Sequence, residues 1–215
     1  MNQISIFANG EISLSEISQP LEGMIIAADG GARHCLRLGF IPQVVIGDFD
    51  SLSEADAAIL QASGTEFIHY PADKDETDLE LALDYAVKQG AQAITLYGLL
   101  GGRWDMSFAN LLLLAAPRFA GIRFCVISGD TEAYILRGGE TLEINGQPGN
   151  TVSAIPLSAD VCGLTYTGLR WPLENAVLSF GTPRGVSNVL NREIAKISLE
   201  NGLLLVMLIA KQVNG

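Results

Sequence analysis

Residues 24–51 read MIIAADGGARHCLRLGFIPQVVIGDFDS. Two short apolar runs, MIIAA and VVIG, each end in a turn rich in Gly and Asp. Their apolar character is continuous rather than alternating, which suits strands buried on both faces. The same unit recurs outward from this stretch, as ISIFANG before it and EFIHYPADKDETD, AITLYGLLGGRWD and RFCVISGD after it. Between these runs, Leu79, Ala82, Leu83 and Ala86 fall at i, i+3, i+4 and i+7, the apolar stripe of a helix packed on a sheet. Thr77 and Glu80 have the spacing of a capping box, which starts that helix near Asp78. Residues 1–130 are therefore expected to form a Rossmann-like α/β domain with a mainly parallel sheet.

From Thr131 onward the rhythm changes to strand-length pieces, GETLEI, TVSAIPL, VCGLTYTGL, ENAVLSF, EIAKISLE and GLLLVMLI, separated by turns such as GQPGN and GTPRG. No amphipathic helical spacing accompanies them. Residues 131–215 are expected to form a smaller all-β sandwich domain.

Composition narrows the function classes. The chain has 215 residues, 48% hydrophobic and 17% charged, enough to bury a sizeable core. Its 13 basic and 24 acidic residues leave a net charge of −11, which argues against nucleic acid and anionic membrane as partners. Cys35, Cys125 and Cys162 form no CxxC pair and lie in apolar surroundings, as reduced thiols do. The most apolar run, Leu203 to Ala210, is about half of the roughly 20 residues a spanning helix needs. A soluble, cytoplasmic protein is expected.

The chemistry is concentrated in acids that follow the expected strands. They are Asp29 in ADGG, Asp48 and Asp50 in GDFDS, Asp73, Asp75 and Asp78 in DKDETD, Asp105 in GGRWD, and Asp130 in SGD. In open α/β sheets the ligand crevice lies beyond the carboxyl ends of the strands, so these carboxylates should converge there. Asp48 and Asp50, two residues apart, project the same way if the segment is extended. Converging carboxylates repel unless a cation compensates them, and an oxygen-rich set without His or Cys suits Mg²⁺. Gly30, Gly31, Gly101 and Gly102 would let backbone amides approach phosphates, while Lys74 and Arg103 could neutralise a transferring phosphoryl group.

Each residue taken singly also has a plain structural reading. Asp before Gly makes Asx turns, Asp78 complements a helix dipole, and Asp105 can cap the following helix. Those readings do not explain why the acids gather at the strand ends of one sheet. His34 and His69 lack metal-ligand spacing, and His69 within EFIHY reads as a strand residue. Neither GxxxxGK[ST] nor GxSxG occurs, which removes the P-loop and α/β-hydrolase readings.

Together, ADGGARHCLRLGFIPQVVIGDFDSL, DKDETDLELAL and GLLGGRWDMSFANLLLL closely resemble the thiamine pyrophosphokinase family, in order and spacing. The likeness continues through TVSAIPLS, GLTYTGLRWPLENAVLSFG and the VSN at 186–188. The resemblance implies an N-terminal ATP- and Mg²⁺-binding domain, a C-terminal thiamine-binding domain, and a homodimer with active sites at the subunit interface. It implies transfer of pyrophosphate from ATP, as co-substrate, to thiamine, giving thiamine diphosphate and AMP.

By motif match, Asp48, Asp50, Asp78 and Asp105 would hold the metal, and Asp78, Asp105, Arg103 and Lys74 would be catalytic. Asp29, Gly30, Gly31, Gly102 and Asn110 would support the nucleotide and its metal. Trp171, Ser187 and Asn188 fall where similar proteins contact thiamine. The chain departs from many similar bacterial sequences in having Met106 where His follows the GGRxD Asp, so no His acid or base is available there. Trp171 stands where tyrosine is frequent and keeps an aromatic face. The alternatives are another Mg²⁺-dependent pyrophosphokinase, a nucleotide phosphohydrolase, or a non-catalytic ligand- or cation-binding module.

Overall fold

The computed structural model describes residues 2–13, 17 and 21–211. The chain divides into two compact units, Met1–Gly129 and Asp130–Gly215.

The first unit carries strands β1 (Gln3–Phe7), β2 (Met24–Ala28), β3 (Val44–Gly47), β4 (Glu66–His69), β5 (Ala93–Tyr97) and β6 (Arg123–Ser128). Within it the strands lie in the order β4-β3-β2-β1-β5-β6, and every pairing is parallel. Parallel neighbours need crossovers, supplied by α1 (Gly31–Arg37), α2 (Glu54–Ala62), α3 (Asp78–Lys88) and α4 (Trp104–Leu114). Ile4, Ile6, Ile26, Val45, Ile46 and Leu96 are almost fully buried, as their continuous apolar runs require.

The α3 helix starts where the sequence places it. Thr77 holds an extended backbone and its Oγ1 accepts from the Glu80 N–H at 3.2 Å. Only half of the capping box forms, because the Glu80 carboxylate pairs with Arg118 instead of turning back to Thr77. Leu79, Ala82, Leu83 and Ala86 are the buried residues of α3, which packs against β1, β2 and β3.

The order of chain entry fixes where a ligand would sit. Strands are added outward from β1 to β4, and the chain then returns to the other side of β1 for β5 and β6. The reversal lies between β1 and β5, so the loops leaving those strands open the crevice typical of doubly wound sheets.

The second unit consists of two antiparallel sheets, defining its α/β counterpart's all-β partner in the chain. Its strands are β7 (Thr131–Arg137), β8 (Thr141–Asn145), β9 (Thr151–Pro156), β10 (Asp160–Thr167), β11 (Leu173–Ser179), β12 (Asn188–Val189), β13 (Ile194–Ser198) and β14 (Leu203–Ile209). Within this unit one sheet runs β12-β9-β14-β7 and the other β11-β10-β13-β8. Val152, Ala154, Leu204 and Val206 of the first meet Val161, Leu164, Ala195 and Ile197 of the second in one core. Strand β7 was absent from the pieces read in the sequence, because TEAYILR follows SGD without a break and lacks strict alternation. Its seven-residue pairing with β14 makes it a strand. Among the described residues, no helix is long and apolar enough to cross a membrane.

Candidate active site

Three carboxylates meet beyond the ends of β2 and β3. One oxygen from each of Asp29, Asp48 and Asp50 lies within 4.8 Å of the others. Asp29 is buried, and its Oδ1 has no hydrogen-bond partner. An unpartnered buried carboxylate oxygen is costly, and here it stands beside two further acids. A hard divalent cation relieves both costs, so these residues fit such an ion.

The convergence does not arise from an extended GDFDS segment. Phe49 has φ 65°, and the turn it makes lets the Asp50 N–H donate to Asp48 Oδ1 at 3.2 Å. Asp29 also has positive φ, 43°, with its N–H donating to Ile46 O at 2.8 Å. Gly47 keeps the acids close: a β-carbon there would lie 3.0 Å from Asp29 Cβ and 3.3 Å from Asp78 Cγ.

Asp78 faces this cluster from the first turn of α3. Burial raises its carboxyl above the ordinary range, Lys74 opposes the rise, and Asp29 and Asp48 add to it. Lys74 Nζ lies 3.0 Å from Asp78 Oδ1 and donates to Pro71 O at 3.0 Å. The lysine is thus near enough to share charge with Asp78, though Asp78 Oδ1 has no aligned hydrogen bond.

A cavity of about 720 Å³ opens here, within the size range of roughly 300–1,000 Å³ usual for ligand sites. Asp29, Asp48, Lys74 and Asp78 form one wall. Residues 8–11 after β1, and Gly98, Leu99 and residues 101–103 after β5, line the cavity as well, on the two loops at the topological reversal. Those loops are stitched together by Gly10 N–H to Gly98 O at 2.8 Å and Glu11 N–H to Leu100 O at 2.7 Å. Asn110, buried on α4, donates from Nδ2 to Leu99 O at 3.0 Å and braces the same loop. Gly101 and Gly102 line the cavity, and a β-carbon at Gly101 would lie 3.4 Å from the Glu11 amide nitrogen and one at Gly102 3.6 Å from Glu11 Oε1.

Not every residue singled out in the sequence joins this cavity. Gly30 and Gly31 lie outside its lining, and their bare α-carbons accommodate the Asn9 side chain and Phe7 O, each within 2.3 Å of a built β-carbon. Asp73, Asp75 and Asp130 also lie outside it. Asp105 is on the first turn of α4, exposed, and held by the Arg103 guanidinium through Nε at 3.2 Å and Nη2. That bidentate pair pulls the Asp105 carboxyl below its usual range and keeps it apart from the Asp29–Asp48–Asp50 cluster. Arg103 itself lines the cavity, as does Met106.

In the second unit, Asn188 lies against Trp171, and Ser187 precedes it in the chain. Asn188 is buried, and its side chain grips the Trp171 backbone: Oδ1 accepts from Trp171 N–H at 3.0 Å and Nδ2 donates to Trp171 O at 2.7 Å. The Trp171 ring is 54% exposed, with the Arg170 guanidinium 5.1 Å from its centroid. Ser187 has φ 64° and its N–H donates to Ser153 Oγ at 3.1 Å.

Asn9, Gly10 and Glu11 were missed in the sequence although they line the cavity. Their signal is FANG, an Asn-Gly turn ending the first strand, which carries no carboxylate to mark it as part of the site. Ser107 was also missed. Its hydroxyl accepts from Gly101 N–H at 3.0 Å and donates to Arg103 O at 3.0 Å, which ties the glycine loop to α4.

The chain matches two family models along its length: "Thiamin pyrophosphokinase, catalytic domain" over residues 21–126 and "Thiamin pyrophosphokinase, vitamin B1 binding domain" over residues 140–204. It is 31% identical over 182 residues to a thiamine pyrophosphokinase of Bacillus subtilis, covering 85% of each chain. It is 28% identical to thiamine pyrophosphokinase 1 of Oryza sativa, covering 83% of this chain and 76% of that one. The crystal structure of a Bacillus subtilis thiamine pyrophosphokinase superposes with a TM-score of 0.88 at 28% identity, covering 98% of this chain and 100% of that one. That of Geobacillus thermodenitrificans gives 0.81 at 29% identity, covering 98% of each. With the carboxylate cluster lying inside the stretch those models match, the chain belongs to the thiamine pyrophosphokinase family.

Proposed function

We propose that this protein transfers the pyrophosphoryl group of ATP to thiamine, giving thiamine diphosphate and AMP. The observation that carries the reading is the Asp29–Asp48–Asp50 cluster, with its orphaned Asp29 oxygen, whose Asp29 and Asp48 line the same cavity as Lys74 and Arg103. Family membership supplies the substrates. The first unit takes the ATP and metal role, and the second takes the thiamine role.

The cation is Mg²⁺, on the ground that the donors are all carboxylates and the ligand is a polyphosphate. When bound, Mg²⁺ neutralises phosphate charge and polarises the phosphorus under attack. Asp29, Asp48 and Asp50 would hold it, and Asp78 completes the acidic wall. Lys74 and Arg103 stabilise charge as it shifts toward the departing AMP. The glycine loop at 101–102, steadied by Asn110 and Ser107, offers backbone amides to phosphate oxygens. Gly30 and Gly31 serve the site indirectly, by letting Asn9 and the end of β1 pack closely against α1.

The thiamine hydroxyl oxygen forms a bond to the β-phosphorus while the bridge to the α-phosphate breaks and AMP leaves. The hydroxyl proton needs an acceptor at the cavity wall. Asp78, whose carboxyl is pushed up, suits that task better than Asp105, whose carboxyl is pulled down by Arg103. Trp171 offers an aromatic face to the flat, cationic thiamine, a ligand that would take over the place of the Arg170 guanidinium. Ser187 and Asn188 shape the loop beside it.

The protein acts as a cytoplasmic homodimer with active sites at the subunit interface. In support, α4 presents Trp104, Phe108 and Leu112 at i, i+4 and i+8, exposed by 86, 64 and 42%. This apolar stripe begins between Arg103 and Asp105, at the edge of the cavity. The undivided thiols of Cys35, Cys125 and Cys162 accord with a reducing compartment.

The test is the thiamine dependence of ATP consumption in the presence of Mg²⁺. Consumption that requires thiamine supports the reading, whereas equal loss of ATP without thiamine favours a phosphohydrolase.

A further inference from the structure

We propose that Phe49 is a positioning residue for the divalent-cation cluster: its ring anchors the turn that brings Asp48 and Asp50 to Asp29. The inference rests on the reading of those three acids as cation ligands. Phe49 stands between two of them at φ 65°, a backbone region that is costly for a bulky side chain. Gly or Asn would adopt it with less strain. A strained conformation persists when its surroundings impose it, and the surroundings of this ring do so.

The ring meets Phe67 edge-on, with centroids 5.3 Å apart, and His69 at 5.5 Å, both on β4. With Leu52, Phe49 also packs against the buried cluster that includes Val45 and Leu60. The backbone consequence is the Asp50 N–H to Asp48 Oδ1 bond at 3.2 Å, and with it the placing of the three carboxylate oxygens within 4.8 Å. In the metal-free protein those acids repel one another and favour opening of the turn. Glycine would accept the angle without resisting that opening. A ring wedged against β4 and the core does resist it, so the ligands stay arranged before the cation arrives.

The probe is Mn²⁺ alone, titrated into the metal-free full chain, with free ion followed by electron paramagnetic resonance. Phe49→Ala is expected to weaken Mn²⁺ binding by about tenfold or more, since groups that orient metal ligands carry roughly 10- to 100-fold of affinity. Phe49→Gly, which relaxes the backbone but has no ring, should weaken it as well, and Phe49→Tyr should bind as wild type does. Wild-type affinity in Phe49→Ala or Phe49→Gly overturns the inference, even if the melting temperature falls. Should Phe49→Ala fail to fold, Phe49→Leu, which keeps apolar contact without a ring, carries the same expectation. A wild-type protein that takes up no Mn²⁺ sinks the cation reading and the inference together. Uptake that is lost in Asp48→Asn but unaffected in the Phe49 variants sinks the inference alone.

Discussion

Replacing Asn188 by Ala should loosen thiamine binding through Trp171. The Asn188 side chain makes three hydrogen bonds, to Trp171 N–H at 3.0 Å, Trp171 O at 2.7 Å and Val189 N–H at 2.9 Å. Each contributes a net of about 1 kcal/mol when its partners can turn to water instead. All three are only partly buried and Trp171 is half exposed, so water can reach some of the released groups. A loss of about 2–3 kcal/mol in unfolding free energy follows, read by urea denaturation. The thiamine KM should rise about tenfold, while the KM for ATP stays unchanged. The decisive assay is a double-mutant cycle with Trp171→Ala. If Asn188 acts by holding Trp171, its removal from the Trp171→Ala background should leave the thiamine KM nearly unmoved. An equal rise in both backgrounds would refute this reasoning and place Asn188 in direct contact with thiamine.

Other perturbations separate the parts of the site. Asp78→Asn should raise the melting temperature of the metal-free protein at pH 7, because burial lifts the folded carboxyl above its ordinary value and ionised Asp78 therefore destabilises the fold. The gain should shrink as pH falls and vanish below the unfolded value near 3.8, whereas a constant difference from pH 7 to pH 3 would contradict it. Gly47→Ala would press a methyl group to 3.0 Å from Asp29 Cβ, so its Mn²⁺ affinity and turnover should each fall about tenfold or more, an ångström of misplacement being worth about 100-fold. Trp104→Glu combined with Phe108→Lys should sediment as a monomer where the wild type sediments as a dimer; a monomeric wild type would remove the stripe on α4 as an interface.

The parallel sheet was legible in the sequence because buried strands such as VVIG have no polar alternation to confuse them, and α3 because its apolar stripe and Thr77 cap agree. The gathering of acids was legible only in outline. Asp29 joined the cluster more intimately than its ADGG context suggests, since its burial depends on the neighbouring β3 end, which is distant in sequence. Asp105 reads as one more strand-end acid, yet it lies eight positions beyond the end of β5, and Arg103 two positions earlier claims it. The left-handed backbone at Phe49 could not be read from GDFDS, because nothing in a lone Phe announces positive φ. Asn188 likewise looks like a ligand-contacting polar residue until its partners on the Trp171 backbone are seen.

Whether the acidic cavity directs attack at the β-phosphorus of ATP is decided by which products form. The protein, incubated with ATP, Mg²⁺ and thiamine, should form AMP and thiamine diphosphate in equal amounts with little ADP. ADP accumulating in step with thiamine monophosphate would show attack at the γ-phosphorus and contradict it.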